Sequence, residues 1–396
     1  MKRSTKQPSK STTKSKSLVI GLVIDDSLDR PDGVQQYVLT LGAWLTAQGH
    51  EVHYIASETT RIDLPNLHVL GRSLHVRFNG NRLRSPLPAS NVQIRNLLTS
   101  VPFDVLHVQM PYSPFLAGKV LRSAQKLLPN CAQVATFHIF PESSLVRIGG
   151  RLLSLLQQRQ YKQLDQILSV SSAAANFASK TFGVDSTIVP NGVELEPFIE
   201  EASHAKHKTP YTIVFLGRLV ERKGCRQLIE AIAAARERLP KPLRVRIGGR
   251  GPLLEQLKAL TERLKLSDVI SFEGFIAEED KASFLASGDM VVLPSLGGES
   301  FGISVVEALA ASNGPVLAGD NAGYRSVMQG LERQLVPGND PTGAFADKLV
   351  KFAALSSSER QAYKKRQQLH AEQFAVQSVG ARVVAQYQSA LRLRSK

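Results

Sequence analysis

Cysteine is scarce: two in 396 residues, Cys131 and Cys225, far apart and in no CxxC pair. This excludes a disulfide framework and a cysteine-based structural zinc site, and makes a reducing cytoplasm the expected compartment. Cys225 falls near an expected helix start, where a thiol pKa can drop, although packing accounts for it as well. No apolar run is long enough to span a membrane. The longest near the N-terminus, Leu18 to Ile24, follows a basic stretch as a signal peptide would. Asp25 and Asp26 come directly after it, with no small-residue cleavage pattern, so it reads as a buried first strand. Short-period repeats and recognisable nucleic-acid modules are absent, and no specific nucleic-acid partner is expected. Acidic residues are missing from 1–17, which carries Lys2, Arg3, Lys6, Lys10, Lys14 and Lys16 and is expected to be a disordered basic tail. The tail supplies six of the net +15 charges and leaves +9 on the body. Such a chain wants an anionic partner, a lipid surface or a phosphate-bearing substrate.

The length suits two domains, and 43% apolar content is enough to build their cores. From residue 18, short apolar runs alternate with helical patterns. Strands are expected at 17–24, 51–56, 104–108, 133–137, 167–170 and 187–189. A helix is expected at 34–48, with Val34, Val38, Leu41 and Leu45 on one face and Gly49 as its stop. The rhythm breaks in a polar stretch with Pro197 and Pro210. It then restarts with strands at 212–216, 245–247, 269–272, 290–294 and 316–318 and helices at 224–236, 253–264, 279–286 and 304–311. A charged helical stretch, 357–394, closes the chain. The expected architecture is α/β: two doubly wound parallel-sheet, Rossmann-like domains, at 18–196 and 211–375, facing a central cleft. Residues 197–210 read as a linker and 376–396 as a helix returning to the first domain. Ligands of such sheets bind beyond the carboxyl ends of the strands.

The motifs fall just after strands. The most informative is Gly297-Gly298-Glu299-Ser300-Phe301-Gly302-Ile303-Ser304-Val305-Val306-Glu307. A glycine-rich turn feeding a helix offers free N–H groups and a positive dipole end to phosphate. Glu299 in the turn can reach sugar hydroxyls, and Glu307, two turns on, a ribose diol. A helix with acidic residues in its first turns would look similar. Asp32-Gly33-Val34 is a second turn leading into a helix, and Gly33 lets the backbone approach a phosphate. In Gly217-Arg218-Leu219-Val220-Glu221-Arg222-Lys223-Gly224, Arg218 and Lys223 can neutralise a diphosphate, or be solvated loop cations. Gly249-Arg250-Gly251-Pro252 is a turn in which Gly251 is at best a backbone contact. His138, ending the strand 133–137, can contact a sugar hydroxyl, with His107 as the weaker rival.

In this order the motifs, with Pro190-Asn191-Gly192-Val193, resemble the glycosyltransferases of family 4, whose fold is GT-B, over residues 18–384. Within that family the chain is most similar to bacterial phosphatidylinositol mannosyltransferases. Gly297 to Ile303, Asp32-Gly33-Val34-Gln35, Phe103-Asp104-Val105-Leu106-His107 and Phe78-Asn79-Gly80 carry the likeness. The resemblance implies catalytic roles for His138, Arg218, Lys223 and Glu299. It implies donor binding by Gly33, Arg218, Lys223, Gly251, Glu299, Phe301, Gly302, Ile303 and Glu307, and acceptor binding by Asp29, Gln35 and Asn79. It further implies a retaining transfer, GDP-mannose as the favoured nucleotide-sugar, and a phosphatidylinositol acceptor. No Asp-x-Asp metal motif stands in the donor region, so no tightly bound cofactor or metal is expected, and a divalent cation would at most stimulate.

Two departures concern the acceptor. The family's polar stretch with a lysine after the histidine is replaced by Ile139-Phe140-Pro141-Glu142-Ser143, and an aromatic after the first strand gives way to Asp25-Asp26. Independent of the resemblance, 145–164 reads as a basic amphipathic helix, and Arg72, Arg77, Arg82 and Arg84 cluster in a loop. Both suit the anionic inner face of a cell membrane, or else the helix packs its leucines into the core. A UDP-sugar with a non-inositol acceptor, a nucleotide-sugar epimerase and a non-catalytic binding protein are the competing readings. The presence of Glu299, Glu307, Arg218 and Lys223 together favours transfer.

Overall fold

The computed structural model describes residues 16–29, 32–71, 89–138, 160–204, 209–338 and 340–395, and the backbone of strands Ser73–Phe78 and Asn81–Pro86. The first half is a seven-stranded parallel sheet. Its strands are β1 (Val19–Ser27), β2 (Glu51–Glu58), β3 (Leu67–Val69), β6 (Val105–Gln109), β7 (Ala132–Phe137), β8 (Gln166–Ser169) and β9 (Thr187–Ile188), in the order β3-β2-β1-β6-β7-β8-β9. Strands β4 (Ser73–Phe78) and β5 (Asn81–Pro86) pair separately and antiparallel, so Arg77, Arg82 and Arg84 of the expected arginine loop lie on strands, while Arg72 falls outside the described residues. The proposed amphipathic helix at 145–164 lies mostly outside the described residues, as does Asn79.

The second half is a six-stranded parallel sheet. β10 (Tyr211–Leu216), β11 (Leu243–Gly248), β12 (Ile270–Gly274), β13 (Met290–Leu293), β14 (Val316–Gly319) and β15 (Leu335–Val336) run in the order β12-β11-β10-β13-β14-β15. Central strands such as β1 and β13 are apolar along their length because helices cover both sheet faces. Each sheet reverses its winding once, between β1 and β6 and between β10 and β13. Those switch points open crevices at the strands' carboxyl ends.

Two expectations need correction. The stretch read as a linker is helical from Glu196 to His204. Phe198 and Ala202 are buried, and Phe198 joins the core of the second sheet, so its polarity marks one exposed face. The closing stretch 357–394 is two helices, Ser357–Ala371 and Val376–Arg394, separated by a short 3₁₀ turn, Glu372–Phe374. The first opens with a capping box between Ser356 and Glu359. The last packs Val379, Val383, Tyr387 and Ala390 against Leu41 and Leu45 in the first domain's core, and Arg394 pairs with Asp165 at 2.8 Å. The chain thus crosses between the halves twice, side by side: Val193 N–H donates to Phe374 O, and Val376 N–H to Val193 O, both at 2.8 Å.

Both cysteines are packing residues. Burial pushes each thiol up to about 12. Among the described residues no helix is long and apolar enough to cross a membrane.

Candidate functional site

The two crevices meet in one cavity of about 470 Å³, lined by both halves. Two helix N-termini converge on it. The helix Gly33–Ala47 begins at Gly33, and the helix Ile303–Ala311 begins after Gly302. They are close enough that a Cβ on Gly33 would lie 3.6 Å from Ile303 Cδ1. Each helix brings unpaired N–H groups and the positive end of its dipole. Glycine is required at 302, where φ is +119° and a side chain would meet the Tyr324 ring at 2.7 Å. Phe301 turns inward and stacks edge-on against Phe374 at 5.6 Å, which leaves its backbone at the cavity wall.

The cations come from the second half. Arg218, in the loop after β10, is exposed at the cavity and makes no ion pair among the described residues. Lys223 Nζ and Arg222 Nη1 both hold Glu299 Oε1, at 2.7 and 2.6 Å, and Ser295 Oγ donates to the same oxygen at 3.0 Å. Burial works against the Lys223 charge, but Tyr324 and Glu299 outweigh it and hold the ammonium above its ordinary range. Deeper in, Lys281 Nζ bridges Glu307 Oε1 at 2.8 Å and Glu278 Oε1 at 2.7 Å. Burial raises the Glu307 carboxyl, and Lys281 opposes that shift.

The first half supplies no cation to the cavity among the described residues. Its lining includes Asp26, Asp32, Gln35, Gln36, His138 and Asn191. Gln35 Nε2 donates to Asp26 Oδ2 at 3.0 Å. Gln36 reaches across to Glu278 at 3.2 Å. The buried Asn191 Oδ1 has no hydrogen-bond partner among the described residues, an acceptor that a bound hydroxyl could satisfy. His138 is 5% exposed, and burial lowers its pKa to about 3, so the ring is neutral.

Comparison with known proteins agrees with this layout. The family model for Glycosyltransferase Family 4 matches residues 31–197, and that for Glycosyl transferases group 1 matches 198–369. The phosphatidyl-myo-inositol mannosyltransferase of Mycobacterium leprae is 34% identical over 339 residues, covering 84% of this chain and 86% of its own. The chain belongs to glycosyltransferase family 4. The protein of the same name from Propionibacterium freudenreichii is 31% identical, over 78% of this chain and 79% of its own. A Rickettsia africae glycosyltransferase has the same fold, with a TM-score of 0.72 at 16% identity over 95% and 99% of the two chains. The architecture of this glycosyltransferase is therefore GT-B.

Not every expected residue of the glycosyltransferase reaches the cavity. Gly33, Gln35, His138, Arg218, Lys223, Glu299, Phe301, Gly302, Ile303 and Glu307 line it; Gly251 and Asp29 do not. A Cβ at 251 would meet the Leu219 carbonyl oxygen at 2.2 Å, so Gly251 lets its turn close on the loop that carries Arg218. Asp29 accepts from Thr59 Oγ1 at 2.6 Å, Thr60 N at 2.8 Å and Ser27 Oγ at 2.8 Å. Burial opposes its ionisation, yet these bonds hold it at about 2, and it ties the loop after β1 to the one after β2. The aspartate pair divides in two. Asp25 is buried and accepts from Ser57, Ser113 and the first N–H groups of the helix Leu116–Leu127, whereas Asp26 faces the cavity. His107 is fully buried between Tyr387 and Thr136. Arg222, Gln36 and Lys281 were missed from sequence. Lys281 stands directly after Glu278-Glu279-Asp280, which reads as an ordinary solvated helix start; a lone cation behind three acids was the available signal.

Proposed function

We propose that this glycosyltransferase moves mannose from GDP-mannose to an inositol phospholipid, with retention of configuration, as a peripheral protein on the inner face of the cell membrane. The observation that carries the reading is the convergence of two helix N-termini and three cations, Arg218, Arg222 and Lys223, on one cavity. That arrangement fits a diphosphate. Glu307, backed by Lys281, is the seat for the ribose diol, and Glu299 and His138 meet the hexose. The names of the relatives support the sugar and the acceptor.

In the reaction the acceptor oxygen bonds to the anomeric carbon on the face from which the diphosphate leaves. The bond from that carbon to the phosphate oxygen breaks, and the acceptor's proton passes to the departing phosphate. The protein's part is to neutralise charge on the leaving group and to orient the two reactants. Glu299 holds Lys223 and Arg222 ready for this task when no donor is bound. A second reading, a neutral polyhydroxylated acceptor, is favoured by one feature: the first-half lining contains Asp26 and Asp32 and no described cation to meet an acceptor phosphate.

The test is a donor panel of GDP-mannose, UDP-glucose, UDP-galactose and UDP-N-acetylglucosamine, each with and without vesicles containing phosphatidylinositol, followed by nucleotide release. Release from GDP-mannose that depends on phosphatidylinositol is expected. Release indifferent to the lipid moves the acceptor to the second reading. Release from no donor rejects the transferase reading for these substrates.

A further inference from the structure

His138 directly follows β7 at the cavity wall, and what it can do there depends on which ring nitrogen carries the proton. Its Nε2 lies 2.7 Å from Oε1 of Gln109, the last residue of β6 and fully buried. The orientation of the Gln109 amide is fixed from its other side, where Nε2 donates to the His107 carbonyl oxygen at 3.4 Å. A carbonyl only accepts, so the NH₂ must face His107 and the amide oxygen must face His138. An amide oxygen also only accepts, so the proton sits on His138 Nε2. The ring is neutral, which leaves Nδ1 bare, and Nδ1 has no protein partner among the described residues.

The scaffold behind Gln109 is bonded in turn. His107 Nδ1 is 2.7 Å from the Tyr387 hydroxyl on the closing helix, and His107 Nε2 is 2.6 Å from Thr136 Oγ1 on β7. The Tyr37 ring packs edge-on against His138 at 5.0 Å.

We propose that Gln109 is a positioning residue for His138: its amide oxygen accepts a hydrogen bond from Nε2–H, so that the ring offers Nδ1 to the cavity as a hydrogen-bond acceptor for a hydroxyl of the donor sugar. His138 then works as a neutral acceptor, and neither donates a proton nor carries a positive charge in the transfer. The proposal rests on the transferase reading for its ligand, while the state of the ring is a property of the protein alone. The titratable groups facing the ring are Tyr37 from the first helix and His107 from β6; across the cavity stand Asp26, Asp32 and the cations of the second half.

The experiment is ¹⁵N NMR of the full-length protein labelled in histidine, with His138 assigned by comparison with His138→Asn. The wild type should show a single tautomer protonated at Nε2, unchanged through neutral pH. In Gln109→Glu a carboxylate replaces the amide oxygen, and an imidazolium should appear near neutrality. In Gln109→Met the tautomers should mix, with kcat lowered roughly tenfold and the donor KM little changed, the size expected from one lost hydrogen bond. An Nδ1-protonated ring or an imidazolium in the wild type at neutral pH overturns the proposal without recourse to any variant. So does a tautomer unmoved in Gln109→Met. If the wild type transfers from no donor while the tautomer is as stated, the enzyme reading fails and the ring assignment stands.

Discussion

Lys281 shows how a single side chain can set the behaviour of a site it does not itself define. Glu307 is 4% exposed; burial raises its carboxyl, and Lys281 Nζ, 2.8 Å away, opposes that shift. In Lys281→Met the buried carboxyl should protonate and lose its power to accept from a diol. GDP affinity should fall about tenfold by calorimetry. Glu307→Gln should cost a similar amount, and the double variant little more, because the two act as one unit. Additive losses would mean that the residues act separately. Gly33 permits a complementary test. A methyl there would meet only Ile303 Cδ1 at an ordinary 3.6 Å, so Gly33→Ala should keep its unfolding curve. Its donor affinity should nevertheless drop about tenfold or more if a phosphate approaches that backbone. Unchanged affinity would place the diphosphate elsewhere.

Among the elements, the closing helix Val376–Arg394 depends on a glycine. Gly380 lies flush against Trp44, and a Cβ there would come 2.4 Å from the indole. Alanine ordinarily favours a helix over glycine by about 1 kcal/mol, but overpacking should outweigh this in Gly380→Ala for a net loss of about 1–2 kcal/mol. Trp44 is the chain's only tryptophan, so a denaturant titration followed by its fluorescence reads this contact directly. Strands and most helices were legible from the sequence because runs such as Leu18 to Ile24 are buried on both faces and helices such as 34–48 show one apolar stripe. The helix Glu196–His204 was not, because it buries little more than Phe198 and Ala202 in nine residues, too few for a period to emerge. The site was legible where chemistry is local, as in the turn leading to Glu299. It was hidden where partners lie far apart in sequence, as with Glu307 and Lys281 or His138 and Gln109. Gly251 and Asp29 stand outside the cavity lining and tie loops together, and a loop's tie to its neighbour and a ligand contact use the same residue types.

For the molecule as a whole, buried neutral histidines make stability depend on pH. His107 and His138 both have their pKa lowered to about 3 by burial, from an ordinary 6.5. Below 6.5 the unfolded chain takes up protons that the folded one refuses, so stability is full above that pH and is lost as pH falls toward 3. At pH 5 each ring should cost about 2 kcal/mol. Denaturant midpoints at pH 7.5 and 5, followed through Trp44, should reveal this, and His138→Asn should flatten the difference. An unchanged midpoint in the wild type would mean that the rings take up protons in place.

The paired crossings at Val193 and Val376 have a further consequence. Because the chain leaves the first domain and re-enters it at bonded neighbours, the second domain is topologically a cassette spliced into the first. Deleting 194–375 and joining the cut ends with a short glycine-serine bridge should therefore leave a host that closes its own core, final helix included. A modular enzyme of this form can exchange its second domain for another without rewriting the first.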